Sequence, residues 1–179
     1  TGSASLSSVS EIFSTRQAFA ALTSSGTVAC WGNSYYGGDC DSGNLYPSGS
    51  ALTSVSTIYS SDDTFAALLS DGTVVAWGNR ASSLTSALPS VAKIFSTQSA
   101  FAALHDDGTV SVFGDSSNGG STSSLSPSGS VLTSVSMIFA TEYAFAALKS
   151  DGSVVCWGNS DSGTYVSSRC FVRSSGLIC

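Results

Sequence analysis

Charge is what this chain has least of. Charged side chains make up 10% of its 179 residues, 6 of them cationic and 12 anionic, against roughly a quarter in ordinary soluble domains. The cations are Arg16, Arg80, Lys93, Lys149, Arg169 and Arg173, spread over different segments. A nucleic acid or an anionic membrane surface needs clustered cations that displace counterions, so the pattern argues against both. Histidine occurs once, as His105. A lone histidine among many serines makes no Ser-His-Asp triad without a positioned orienter, and no Gly-x-Ser-x-Gly elbow is present. Cys-x-x-Cys is absent, which removes a zinc knuckle and a thioredoxin-type redox pair. No apolar run approaches the ~20 residues that span a bilayer.

What is present is one motif written four times. Phe19-Ala20-Ala21-Leu22 leads to Gly26-Thr27-Val28 and ends in Trp31-Gly32-Asn33. The unit returns as Phe65 to Asn79, Phe101 to Asp115 and Phe145 to Asn159, with aromatic slots Trp31, Trp77, Phe113 and Trp157. The intervals between these slots are 46, 36 and 44 residues, the range of propeller blades and solenoid coils. Such units stack or radiate so that neighbours bury each other's apolar faces. The predicted organisation is one repeat domain over 1–179, with repeats at about 9–54, 55–90, 91–134 and 135–179.

Each repeat reads as three short strands. The first runs Val9 to Phe13, Val55 to Tyr59, Val91 to Phe95 and Val135 to Phe139. The second is the Phe-Ala-Ala-Leu run, too short for a helix and stopped by a turn; its alanines suit strands that converge where room is scarce. Ser70-Asp71-Gly72, Asp106-Asp107-Gly108 and Ser150-Asp151-Gly152 are hairpin turns, capped by Asp71, Asp107 and Asp151. The third strand ends at the aromatic-Gly pair, where the glycine marks a bulge or a close approach of chains. Two long spacers, Ser34 to Ser54 and Ser116 to Ser134, carry Gly-Gly and Pro-Ser-Gly-Ser and are expected as surface loops, the usual seat of function on a repeat scaffold. The chain opens at Thr1 on a spacer-like stretch, which reads as a processed product, a fragment or part of something longer.

Phe-Ala-Ala-Leu, x-Asp-Gly and Val-x-x-Trp-Gly-Asn, followed by a Gly-rich stretch, resemble the regulator of chromosome condensation repeat. The resemblance covers nearly all of residues 6 to 163. It implies an all-β β-propeller or partial propeller of four three-stranded antiparallel units that binds proteins; the alternative architecture is a β-solenoid. The propeller-type β-lactamase inhibitors have similar three-stranded repeats. The wording of the motif looks most like repeat proteins of marine microbes and algae, including dinoflagellates. No residue here matches the loop surfaces that family members use for nucleotide exchange on Ran, so that activity does not transfer.

Cys30 and Cys156 share one place in repeats one and four, just before the tryptophan, and each is followed by Cys40 or Cys170. The spacing favours disulfides Cys30–Cys40 and Cys156–Cys170, with Cys179 left over or paired to another chain. The other reading is that Cys30 and Cys156 are small buried apolar residues. The disulfides point to a non-cytosolic place, extracellular or in an organelle lumen.

Five residue groups remain as candidates. Asp39 and Asp41 stand two apart before Gly43, as at the start of a calcium loop, but the bidentate glutamate is missing and a polar turn is the plainer reading. Asp62-Asp63 and Asp106-Asp107 are paired carboxylates that, as neighbours on a strand, point to opposite faces. Trp31, Trp77, Phe113 and Trp157 read as packing between repeats rather than as a sugar-binding row. Tyr35, Tyr36 and Tyr46 sit in the first long spacer and are the expected protein contact surface. His105 occupies the slot of Thr23, Leu69 and Lys149 and reads as a tolerant surface position. The expected function is a non-enzymatic protein-binding or scaffold module, an accessory subunit on a larger assembly, needing no cofactor. Its partners would be other protein chains, membrane complexes included. The alternatives are a secreted glycan-binding surface protein and a propeller-type enzyme inhibitor.

Overall fold

The computed structural model describes residues 6–160 and the backbone of 171–173 and 176–178. Two compact units divide the chain, Thr1–Pro89 and Ser90–Cys179. The first holds β1 (Val9–Ser14), β2 (Ala18–Thr23) and β3 (Val28–Gly32) in one sheet and β4 (Val55–Ser60), β5 (Thr64–Leu69) and β6 (Val74–Gly78) in another. The second holds β7 (Val91–Ser96), β8 (Ala100–His105) and β9 (Val110–Gly114), then β10 (Val135–Ala140), β11 (Ala144–Lys149) and β12 (Val154–Gly158). Every three-stranded sheet is antiparallel, in sequence order, and made by one repeat. These are propeller-type blades; solenoid coils would pair strands of successive repeats. A hairpin of β13 (Phe171–Arg173) and β14 (Gly176–Ile178) follows, which the repeat pattern does not foreshadow.

The hairpin turns follow from their glycines. Gly72 has φ +80°, open to glycine without a Cβ penalty. Its N–H donates to Leu69 O at 3.0 Å, and the Leu69 N–H donates to Thr73 O at 2.9 Å. Gly78 sits at φ +106° where an added Cβ would lie 2.6 Å from Asp63 O, so the glycine after the aromatic marks a close approach at a strand end. The bulges lie instead in the first strand of each blade, between Val9 and Glu11, Val55 and Thr57, Val91 and Lys93, and Val135 and Met137. In three of them the bulged residue is a serine, and Ser10, Ser56 and Ser136 donate to Leu22 O, Leu68 O and Leu148 O at 3.0, 2.8 and 3.0 Å. Just before each first strand, Ser8, Ser54, Ser90 and Ser134 stand at φ 55–59°. Their carbonyls accept the N–H groups of Ser24, Ser70, Asp106 and Ser150 in the hairpin turns.

Side chains two apart share a face of a strand, so each blade has two faces. The trailing face of the first blade carries Phe13, Ala18, Ala20 and Leu22. It packs in one core cluster with the leading face of the second, built on Ile58, Phe65, Ala67, Val75 and Trp77. The second unit repeats this, with Phe95, Ala100, Ala102 and Leu104 against Ile138, Phe145, Ala147, Val155 and Trp157. Small alanines let the sheets close on the aromatic rings. Burying such a ring is worth ~2–3 kcal/mol. Phe65 pairs with Trp77 across the ladder and their rings stack with centroids 5.1 Å apart; Phe145 and Trp157 do the same at 5.2 Å.

Candidate functional site

The first long spacer is pinned to the blades, not a free loop. Asn33 caps a 3-10 turn, Ser34–Tyr36, its Oδ1 accepting the Tyr35 N–H at 3.0 Å. Short polar side chains satisfy such orphan donors. Gly37 closes the turn at φ +92°. Its carbonyl accepts the indole N–H of buried Trp77 at 3.1 Å, and a Cβ there would come 2.7 Å from the Phe65 ring. Thr15 Oγ1 donates to Tyr36 O at 2.8 Å. A Cys30–Cys40 disulfide, with Cα atoms 5.9 Å apart, ties the spacer to β3. Leu45 is buried, and Tyr46 exchanges backbone N–H···O bonds of 2.9 Å with Ala76, adding an edge to β6.

That bridge gathers a cleft of about 150 Å³ that holds two of the three expected tyrosines. Tyr35 and Tyr46 line it with Ser34, Asp39, Asn44, Gly78 and Asn79. Tyr35 is 57% exposed and meets the Tyr36 ring edge-on. Tyr36 differs: it packs against the core cluster of the first unit. Sequence reasoning misses Asn44 and Asn79. Asn79 comes from the end of β6 and reaches the cleft only through the Tyr46–Ala76 bridge, for which no local pattern exists. The cleft offers aromatic faces, amides and a carboxylate, a set suited to binding rather than to proton transfer.

The remaining candidates have structural partners. Asp39 Oδ1 accepts the Asp41 N–H at 3.1 Å, an oxygen committed to the turn. Among the described residues no three His, Cys, Asp or Glu side chains gather to hold a metal. Asp62 and Asp63 lie in the link between β4 and β5 rather than on a strand. Asp62 pairs with Arg16, while buried Asp63 accepts from Asn79 Nδ2 at 2.7 Å and faces Arg80. His105 is half-buried and bonded to Ser111 Oγ at 2.9 Å, so it is less free than its slot implies. The carboxyls of Asp71, Asp107 and Asp151 are held below the usual range. The main cause is the hydroxyl of Thr73, Thr109 or Ser153, followed by the same residue's N–H.

Trp77, Phe113 and Trp157 are buried, as packing residues should be. Trp31 departs from them: it is 39% exposed, stacked only on Phe19, itself 45% exposed. Cys156 is buried on β12, and its expected partner Cys170 lies outside the described residues, as does Cys179. Among the described residues no helix is long and apolar enough to cross a membrane.

Architecture and site define an all-β protein of propeller-type blades with a small aromatic and amide cleft beside its first long spacer. No family model and no curated protein matches the chain. Among solved structures it is similar to yeast RCC1 (Prp20) bound to Kap60, with a TM-score of 0.58 and 16% identity over 93% of this chain and 51% of that one. It is also similar to Prp20p from Saccharomyces cerevisiae, described with its binding properties to Gsp1p and histones, at TM-score 0.54 and 21% identity over 86% and 44%. A third similar structure is the ectodomain of the Physcomitrella patens receptor kinase CR4, at 0.51 and 19% over 84% and 41%. Likeness at these identities shows the fold alone, a β-propeller. The chain spans about half the length of these structures or less.

Proposed function

We propose that this chain is a non-enzymatic protein-binding module, an accessory subunit docked on a larger assembly. The cleft carries this reading: exposed Tyr35, with Tyr46, stands on a spacer held rigid by a disulfide, an N-cap and a strand bridge. Aromatics presented on a fixed backbone bind at low entropic cost. The similar yeast propellers are described with Kap60, Gsp1p and histones, which are proteins or protein assemblies, and this supports a protein partner here. The Cys30–Cys40 disulfide favours an oxidising, non-cytosolic compartment.

The test is gentle purification from the native source, with native mass spectrometry of the product. The resemblance to marine algal repeat proteins makes such organisms the first material. A stoichiometric complex supports the reading if the recombinant chain rebinds its partner and the Tyr35→Ala/Tyr46→Ala variant does not. Rebinding by that variant refutes the cleft as the contact. The amide and carboxylate rim of the same cleft favours a second reading, glycan binding. Retention on a carbohydrate array, reversed by free sugar, separates the two.

A further inference from the structure

The cleft beside the first long spacer is a small one. At about 150 Å³ it falls below the ~300 Å³ at which pockets for small molecules begin. That room suits one long side chain rather than a cofactor or a free metabolite. Tyr35 and Tyr46 line it, and no lysine or arginine does. Asp39 brings a carboxylate to the same lining and is half-buried. The backbone on either side of that carboxylate is tied down. On one side the Gly38 N–H donates to Asn33 O at 2.9 Å, and on the other Cys40 is bonded to Cys30. Asp39 Oδ1 accepts the Asp41 N–H at 3.1 Å, while Oδ2 accepts from no group among the described residues. Asn79, also in the lining, gives an Nδ2 hydrogen to Asp63 Oδ2 at 2.7 Å, a donor engaged inside the protein.

These groups sort the occupants. An anionic group would meet Asp39 with no cation in the lining to offset the repulsion. An apolar side chain would cover the carboxylate without offering it a donor, and an ion desolvated in that way is costly. A sugar ring stacks on tyrosine, but its hydroxyls bring no charge to set against the carboxylate. A guanidinium answers every group present. Its flat face stacks on a tyrosine ring, and its fork of N–H groups matches a carboxylate. Its positive charge also complements a chain of net charge -6.

Resting on the reading of this cleft as the protein contact, we propose that it takes an arginine side chain of the partner protein. The guanidinium lies against Tyr35 and Tyr46 and donates to Asp39. Lysine carries the charge but lacks the plane and the fork, so the two are not interchangeable here. Arginine and tyrosine are both enriched among the residues that dominate binding energy, and such residues pair across an interface. The tethered backbone under Tyr35 and Asp39 leaves little to be ordered on docking, which keeps the entropic cost low.

The probe is the peptide acetyl-Gly-Arg-Gly-amide, titrated into the full chain while NMR follows the ring resonances of Tyr35 and Tyr46. A second peptide with citrulline in place of arginine keeps the shape and removes the charge. Saturable shifts are expected with the arginine peptide, and binding about tenfold weaker or more with the citrulline one. Asp39→Asn should weaken the arginine peptide about tenfold as well. Asparagine keeps the Oδ1 that accepts the Asp41 N–H, and the citrulline comparison needs no variant to fold. Equal affinity for the two peptides overturns the proposal, as does an Asp39→Asn variant that binds unchanged. So does a free hexose that moves the tyrosine resonances where the arginine peptide does not. The broader reading fails separately. It falls if the Tyr35→Ala/Tyr46→Ala variant rebinds the native partner. It stands, and the arginine proposal alone falls, if that variant does not rebind while the arginine peptide leaves both rings unmoved.

Discussion

The indole N–H of Trp157 donates to the carbonyl of Gly119 at 3.0 Å, across 38 residues of sequence. It repeats the bond from Trp77 to Gly37 in the other unit. The aromatic slot thus serves two ends: its ring fills the core, and its one polar atom latches the Gly-Gly turn of the preceding repeat. Gly119 stands at φ +101°, with a Cβ position 2.6 Å from the Phe145 ring.

Substitution of Gly119 by alanine is therefore expected to cost more than that of Gly129. Both have positive φ, but Gly129 faces open space. Backbone strain of about 1 kcal/mol is common to both, and the ring clash adds about 1–3 kcal/mol at Gly119 alone. Urea denaturation of the two variants gives the difference directly. Trp157→Phe should cost about 1 kcal/mol or more for the lost bond and the carbonyl left short, whereas Trp31→Phe should leave stability nearly unchanged. Equal costs at Gly119 and Gly129 would contradict the packing account.

The Cys30–Cys40 bridge closes a short loop, with a sequence separation of 10. The chain-entropy relation gives about 3 kcal/mol for such a loop. Reduction, or Cys30→Ser with Cys40→Ser, should lower the melting temperature and loosen the Tyr35 turn first. Hydrogen exchange at Tyr36 and Gly37, whose N–H groups bond to Asn33 O and Ser34 O, reads that local effect. Unchanged exchange would mean that the cap and the Thr15 latch suffice.

Acid acts through the hairpin aspartates. In the folded state Asp71, Asp107 and Asp151 lie below the ordinary carboxylate value, which is about 3.9 in the unfolded chain. A depressed folded value means that their contribution is complete above roughly pH 4 and fades as the pH falls through the folded values. The triple Asp→Asn variant should show a flatter stability curve below that point. Thr73→Val should raise the Asp71 value, since the Thr73 hydroxyl is its main cause, and carboxyl chemical shifts titrated by NMR would register the change.

Thr97 tests the link between strands. Its Oγ1 donates to Asn118 O at 2.9 Å and accepts the Ala100 N–H at 3.1 Å. Valine keeps the shape and removes both bonds, at an expected cost of about 1–3 kcal/mol. Serine should restore most of it. Thermal melts of the two variants decide the matter, and a valine variant as stable as the parent would remove the latch from the account.

Strands, turns and blade count are legible in the sequence because each rests on residues within a few positions of one another. Val9 to Phe13 falls short of β1 by one residue, and Ser70-Asp71-Gly72 turns where expected. Other features are hidden for a physical reason: their partners are distant. Nothing near Gly37 announces that Trp77 will bond to it, and the bulges at Ser10 and Ser56 depend on carbonyls 12 residues on. The candidate site is half visible. Tyr35 and Tyr46 stand out as loop aromatics, but only the pairing with Ala76 brings Asn79 to them and sends Tyr36 inward. Trp31 departs from the packing rule because, among the described residues, no blade covers its ring.

The serine and threonine hydroxyls that donate to backbone carbonyls, at the bulges, the links and the turns, are neutral groups bonded to neutral groups. At molar salt the Debye length shrinks to about 3 Å, and a scaffold stitched by ion pairs loses its long-range grip. Dipole-to-dipole stitches have no such dependence. A protein fastened in this way is a brine-tolerant one, whose melting point should hold steady as sodium chloride rises from dilute buffer to sea strength and beyond.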